Sequence, residues 1–307
     1  MSERFLVTGI LGCIGAWTAR LLVDEGVPVV GYDLGGSRHR LELLFDDLEP
    51  VTLVQGDITD LDAFGRALDE HEITNVVHLA ALQVPFCRQK PALGAAVNVV
   101  GTVNVFEAVK ARRDRIGKVV YASSAAVYGP DDEGGQDERT RPTTHYGVYK
   151  VANEGTARIF WADDGLPSVG IRPFVVYGLG RDQGLTSGPT LAMGAAARGE
   201  RFHIGFGGVA DYQYAPDVAR ALVAASRTAL DGAVVFNAAG TRAHMREIVA
   251  AIEAAAPEVA GEVTFDENVR LPFPEALESS SPFPLEWTPL EQGVRKTIEL
   301  FRRTGAG

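Results

Sequence analysis

Three glycines at three-residue spacing, Gly9, Gly12 and Gly15, follow directly on the apolar run Phe5-Leu6-Val7. This arrangement limits the fold more than any other stretch of the chain. A strand that ends in a tight turn and opens a helix brings backbone N–H groups and a helix N-terminus to one anion. Cys13 and Ile14 complete the turn, and Cys13 is small enough to sit there as filler.

The pattern behind it continues in kind. Strands are expected at Phe5–Val7, Val27–Tyr32, Val51–Val54, Val76–Leu79, Lys118–Ala122 and Ser168–Ile171. Helices are expected at Gly15–Glu25, Leu61–Glu70, Ala92–Ala111 and from Tyr146 to about Ala162. Strands alternating with helices of this length imply right-handed crossovers and a doubly wound parallel sheet, an α/β Rossmann architecture. After Arg172 the pattern loosens. Gly180–Pro189 reads as a Gly-rich loop, Thr190–Arg198 as a helix and Phe202–Gly208 as a short Gly-rich stretch. The helix Pro216–Ala229 and strand Ala233–Asn237 are expected to rejoin the sheet. Prolines punctuate Leu271–Pro289, a loop or lid, before an amphipathic helix Leu290–Arg303. The division expected is a dinucleotide-binding domain at 1–171 with 211–240, and a smaller C-terminal α/β substrate lobe at 172–210 with 241–307. Asp131–Glu138 is an acidic cluster, read as a solvated loop.

Composition removes several function classes. The formal net charge is -11 and no long basic run occurs, so nucleic acid is not the expected partner. Two cysteines, Cys13 and Cys87, form neither a disulfide framework nor a metal spacing, and no metal is expected. The chain enters a strand at Phe5 without a charged leader, and no stretch is read as approaching the ~20 apolar residues of a membrane span. The expectation is a cytoplasmic protein without membrane contact.

Asp33 closes the second strand, where an acid bonds both hydroxyls of an adenosine ribose and repels a 2′-phosphate. NAD is therefore favoured over NADP. Arg38 and Arg40 follow closely and are read as an exposed basic turn. Asp57, in Gly56-Asp57-Ile58, reads equally as a contact to the adenine amino group or as a turn former. His78-Leu79-Ala80-Ala81 ends the fourth strand, and the small residues let backbone lie flat on a cofactor. His78 has no partner spaced for metal binding.

Tyr146 and Lys150 stand four residues apart and share a helix face. A free phenol titrates near ~10, and a neighbouring ammonium with a cationic nicotinamide favours phenolate. Tyr146 then serves as general base in oxidation and general acid in reduction. Ser124, at the end of the preceding strand, donates to the substrate oxygen. Lys150 also reaches the nicotinamide ribose. Tyr149 has no lysine one turn on and is read as packing or substrate-facing.

With these residues in view, the chain resembles the extended short-chain dehydrogenase/reductase family, the NAD-dependent epimerase/dehydratase group. The matching stretches are Thr8-Gly9-x-x-Gly12-x-x-Gly15, Asp33, Gly56-Asp57, His78-Leu79-Ala80-Ala81 and Asn98-x-x-Gly101-Thr102. They continue with Ser123-Ser124-Ala125-Ala126-Val127-Tyr128-Gly129, Tyr146-x-x-x-Lys150, Arg172-Pro173-x-x-Val176-Tyr177-Gly178, Asp217-Val218-Ala219 and Trp287-x-Pro289. The resemblance implies Ser124, Tyr146 and Lys150 as catalytic residues, supported by Asn98, which is also expected at the cofactor. It places Asp57, Ile58 and Ala80 on the adenine side, with Leu79 and Ala81 beside them, and Pro173 and Val176 by the nicotinamide. Gln83, Ser124, Ala125 and Arg181 are the expected substrate contacts. It further implies a homodimer through a four-helix bundle of the Ala92–Ala111 and Tyr146–Ala162 helices.

Two departures bear on the substrate. Nucleotide-sugar members usually carry Asn where this chain has Val175, and Arg where it has Ala210 before Asp211. Both positions help hold a diphosphate, and losing them weakens such a site. Arg181, Arg198 or Arg201 are candidate substitutes. The expectation is an NAD-dependent oxidoreductase acting on a secondary hydroxyl of a small sugar, polyol or sugar acid. Arg181 and the Gly184–Gly188 loop would close the lobe, with His203 a further polar contact. The alternative is a nucleotide-sugar 4-epimerase/dehydratase with NAD recycled in the site. The dehydratase branch is weaker, since Ala125-Ala126 supply no acid/base pair. A redox sensor on the same fold is a third reading, disfavoured by retention of both Tyr146 and Lys150.

Overall fold

Phe5–Thr8 (β1) is a wholly buried strand, and its apolar side chains serve cores on both of its faces. This is what a strand in the middle of a covered parallel sheet requires. The computed structural model describes residues 2–130, 140–279 and 281–305. The acidic cluster Asp131–Glu138 lies outside the described residues.

The chain runs on through α1 (Cys13–Asp24), β2 (Val29–Asp33), α2 (His39–Glu42), β3 (Val51–Gln55), α3 (Leu61–Glu70) and β4 (Asn75–His78). Then come α4 (Val84–Gln89), α5 (Pro91–Ala95), α6 (Gly101–Lys110), β5 (Val119–Ala122), α7 (His145–Asp164), β6 (Ser168–Arg172) and β7 (Val175–Tyr177). The rest is α8 (Gly188–Ala197), β8 (Phe202–Ile204), β9 (Val209–Tyr214), α9 (Ala215–Arg227), β10 (Ala233–Asn237), β11 (Thr241–His244), α10 (Met245–Ala255), β12 (Val263–Phe265) and α11 (Leu290–Thr304).

Seven strands form one parallel sheet in the order β10-β6-β5-β4-β1-β2-β3. Helices α1 and α9 cover one face, and α3, α6 and α7 the other. The direction of strand addition reverses between β1 and β4. A crevice therefore opens beyond their carboxyl ends, where ligands of such sheets bind.

One expected helix, Ala92–Ala111, is interrupted. Between α5 and α6 the residues Ala96–Val100 make a π-helical turn. The wider turn carries Asn98, whose amide bonds both backbone groups of Leu82 (2.7 and 2.9 Å). The segment 91–110 also has the length and mean hydropathy, 1.5, of a membrane span, contrary to the sequence expectation. Its apolar residues have another use here: Val105, Phe106 and Val109 are fully buried in the sheet core.

The second lobe holds two small sheets, β11-β9-β7 and β12-β8, wrapped by α8, α10 and α11 around Met193, Ile248, Ile252, Val294 and Ile298. Its boundary differs from the expected one. Arg172 is the last residue of β6 and belongs to the large sheet, whereas β9 runs to Tyr214 inside the lobe. The reason is that β9 pairs with β7 and β11 rather than leading straight back to the parallel sheet.

Candidate active site

At the carboxyl ends of β1 and β4 lies a cleft of about 610 Å³. Gly9 turns there with φ +67°, and a Cβ on it would stand 2.8 Å from the Ala80 nitrogen. Only glycine lets the two strand ends close so tightly. Gly12 caps α1 without any side-chain bond, and the first turn of α1 carries no acid. The N–H groups of that turn thus face the cleft as an anion seat.

Asp33 ends β2 and lines the same cleft. Its Oδ2 accepts from Leu11 N (3.1 Å), and Leu34 and Gly35 N–H groups also hold it. Burial nonetheless raises its pKa above the usual carboxylate value. Arg40 is not part of an exposed turn. Its side chain is 14% exposed, pairs with Asp182 and donates to Leu11 O (2.9 Å). Asp182 also accepts from or pairs with His39 Nε2 (2.6 Å). The physical reason is that Asp182, from the loop after β7, needs counter-charge where it crosses the cofactor turn. A 2′-phosphate would have to compete with that carboxylate for Arg40, and Arg38 is exposed.

Asp57 Oδ1 accepts from Thr59 N (2.9 Å), a turn-forming bond, while the residue still lines the cleft with Ile58. Leu79, Ala80 and Ala81 line it too. Thr8 fixes them: its Oγ1 accepts from Leu79 N and Ala80 N, both at 3.0 Å. Its own proton then goes to His78 Nδ1 (2.8 Å). Thr102 donates to Asn98 O (2.7 Å), so its oxygen receives the Nε2–H of His78 (3.0 Å). His78 is therefore neutral, and burial pushes its pKa down to about 3. Asn98 does not line the cleft. It is fully buried, and its amide holds Leu82 and the Cys87 Sγ.

Ser124, Tyr146 and Lys150 come together on the cleft wall with Ala125, Pro173 and Val176. The Thr144 side chain caps α7 by accepting from Gly147 N (3.0 Å). Gly147 then lies against the turn after Ser124, so closely that a Cβ would stand 2.0 Å from Ala126 O. That contact brings Tyr146 to Ser124, whose hydroxyl bonds the phenol and favours its ionised form. Burial outweighs this and holds the phenol up at about 12. Lys150 Nζ donates to Ala122 O (2.7 Å) and stands 5.5 Å from the Tyr146 ring centroid. Burial brings its amine down to about 8. Phenolate at neutral pH therefore needs more positive charge than Lys150 alone, such as an oxidised nicotinamide supplies.

The substrate end is formed by Gln83, Phe174, Arg181, Leu185, Thr186 and Phe273. Arg181 Nη2 lies 3.2 Å from Thr186 Oγ1, while its buried Nε and the Gln83 Oε1 have no hydrogen-bond partner among the described residues. His203 is not at this end. It lines a second cavity of about 290 Å³ and bonds Thr264 (2.9 Å) and Asp266. Of the lining residues, only Leu185 is common to both cavities. Tyr149 is occupied with Pro91 O (2.8 Å) and lines neither. Val175 is fully buried, and Asp211 accepts from Leu277 N (2.6 Å). Arg198 pairs with Glu200 on the surface, and Arg201 is exposed. The Gly184–Gly188 loop does reach the cleft, through Leu185 and Thr186, whereas sequence reasoning passed over Phe174, Gln183 and Phe273, which carry no motif, and Glu154, which does stand one turn past Lys150.

The model of the NAD dependent epimerase/dehydratase family matches residues 5–239. UDP-glucose 4-epimerase of Mycolicibacterium smegmatis is 32% identical, over 97% of this chain and 98% of its own. Two other curated relatives are 34% identical, but the matches span only 57% and 39% of their lengths. Among solved structures, UDP-glucose 4-epimerase of Thermotoga maritima with UDP-glucose has a TM-score of 0.84 at 25% identity, covering 98% of this chain and 99% of its own. L-threonine dehydrogenase of Clostridium difficile has the same TM-score at 23% identity, covering 100% and 99%, which speaks to fold alone. A glycine turn with an uncapped helix, an acid closing β2 and a converged Ser-Tyr-Lys set fit NAD, and with that match the chain belongs to the NAD-dependent epimerase/dehydratase family of extended short-chain enzymes.

Proposed function

We propose that this enzyme is a dehydrogenase that oxidises a secondary hydroxyl of a small sugar acid or related hydroxy acid. One observation carries the reading. A half-buried guanidinium without a carboxylate partner among the described residues, Arg181, stands in the same chamber as Ser124 and Tyr146. The neighbouring carboxylate, Asp182, is already held by His39 and Arg40. A carboxylate is the natural partner for a planar fork of donors in such a place. Gln83 reaches the same spot, since a side chain on Gly184 would meet both Gln83 Oε1 and Arg181 Nη2.

Bound NAD supplies the hydride acceptor. Ser124 holds the substrate oxygen against Tyr146, and the Tyr146 oxygen takes the hydroxyl proton. Lys150, fixed on Ala122 O, keeps positive charge beside the phenol ring. Phe174 and Phe273, packed edge to face, give the chamber an apolar wall. In reduction the Tyr146 proton returns to the oxygen.

A nucleotide-sugar 4-epimerase is the second reading. The outer cavity beyond Leu185, with Phe202 and Phe206 in its wall, offers space for a base, and the full-length relative supports it. The cation there, Arg270, is paired with Glu275 (2.9 Å), which is poor provision for a diphosphate. NADH absorbance with a panel of aldonic and uronic acids, neutral polyols and UDP-sugars tests the choice. Acids should give NADH. Interconversion of a UDP-sugar without net NADH, or calorimetric binding of UDP, overturns the first reading.

We also propose a homodimer through α5–α6 and α7. Leu93, Val100, Val148 and Ile159 on these helices are 48–59% exposed. Light scattering that finds only monomer at micromolar concentration removes this proposal.

A further inference from the structure

Behind the catalytic wall, out of the cleft, lies a buried charge pair that the proton transfer above does not use. Glu154 stands on α7 one turn beyond Lys150 and two beyond Tyr146, so the three share a helix face. Its Oε1 accepts from Ser123 Oγ (2.5 Å) and from Arg172 Nε (2.7 Å), and its Oε2 from Arg172 Nη2 (2.6 Å). Arg172 Nη1 donates onward to Tyr128 OH (2.5 Å), which bonds Asn237 Oδ1 (3.0 Å). All the side chains in this chain of bonds are buried.

Its reach is wide. Ser123 is the neighbour of Ser124 at the end of β5, and Arg172 is the neighbour of Pro173 at the end of β6. Asn237 ends β10, and Tyr128 follows the turn that carries Ser124 and Ala125. One carboxylate thus ties the helix of Tyr146 and Lys150 to three strand ends. Stability alone is a weak reason to keep such a pair, since apolar replacements of buried ion pairs are often neutral or better.

The charges around Lys150 give a second reason. The titratable groups that act on it are Cys87 from α4, His78 from β4, and Tyr146 and Glu154 from its own helix, with Arg172 beyond Glu154. Burial keeps the Cys87 thiol and the Tyr146 phenol protonated and His78 neutral. Glu154 is the one carboxylate among them.

We propose that Glu154 is a positioning residue for proton transfer: its carboxylate holds Lys150 as an ammonium and, through Ser123 and Arg172, sets Ser124 and Pro173 around Tyr146. The proposal rests on Tyr146, Lys150 and Ser124 forming the proton-transfer set, and it is independent of which substrate they serve.

The experiment is an NMR titration of Lys150 in NAD-bound enzyme labelled with ¹³Cε-lysine, the resonance being assigned by its loss in Lys150→Arg. Glu154→Gln should lower the Lys150 midpoint by about one pH unit. Glu154→Asp should recover most of that shift, which a merely space-filling role would not do. Should Glu154→Gln fail to melt cooperatively, Glu154→Gln with Arg172→Met removes both charges and should still lower the midpoint. A folded Glu154→Gln, or a folded double variant, with the wild-type midpoint overturns the proposal. No substrate enters the measurement, so a wrong assignment of substrate leaves its outcome standing.

Discussion

Two arginines nine residues apart in the chain, one buried and one half-buried, sit in opposite surroundings. Arg172 is bonded by a carboxylate on two of its nitrogens and by a phenol on the third, behind the catalytic helix. Arg181 faces the chamber with a threonine hydroxyl beside it, and burial pulls its pKa below the usual value. A desolvated cation without a carboxylate costs stability in the free protein. The contrast separates a charge that holds the framework from one that stands ready for a ligand.

The largest test removes each cation in turn. Arg172→Met leaves Glu154 buried and unpaired, and should cost about 3–5 kcal/mol in urea unfolding. Arg181→Met should change stability by less than about 1 kcal/mol or raise it, as no buried charge is stranded. Equal losses would break the comparison. The next test sharpens its other half. Loss of a charge-assisted bond worth about 1.5–3 kcal/mol should raise KM for an acid substrate about 10- to 150-fold in Arg181→Met. A neutral polyol should be much less affected.

Lys150 extends the comparison to a third cation. Burial brings its amine down to about 8 in the fold from the usual 10.5, so below about pH 8 the fold carries the full cost of charging it. Between these values the unfolded chain binds more protons, and wild-type stability rises with pH. Lys150→Met should lose turnover by about 10²- to 10⁴-fold. It should gain about 1–3 kcal/mol at pH 7, and it should lack the rise above pH 8 in denaturation curves. His78 gives the smallest effect. Its folded pKa lies below its unfolded one, so stability is present at neutral pH and lost as pH falls. The loss between about pH 6.5 and 5.5 should be about 1 kcal/mol, and His78→Gln should flatten that slope.

The cofactor half was legible because its signals are local. Phe5-Leu6-Val7 before Gly9 reads as a strand and turn without reference to anything distant, and Tyr146 with Lys150 needs only one helical turn. The lobe was not. β7, β8 and β12 are short strands whose pairing partners lie far along the chain, and the segment of β11, α10 and β12 carries no motif at all. Short strands are set by tertiary pairing rather than by pattern. Arg40 shows the same limit within the cofactor half. Its position after Asp33 suggested solvent, and only the crossing of Asp182, 142 residues later, turned it inward. The interruption at Asn98 was equally silent, since a π-helical turn leaves no mark in an apolar run.

The Asp182 pairing has a mechanical consequence. The loop that carries Arg181 is moored to α2 and, through Arg40, to the glycine turn at Leu11, while Gly178 N and Ser187 Oγ tie its two ends to the start of α8 in the lobe. Arg181 thus stands on a bridge fixed at both ends, and the seating of the lobe on the Rossmann sheet sets where its fork enters the cleft.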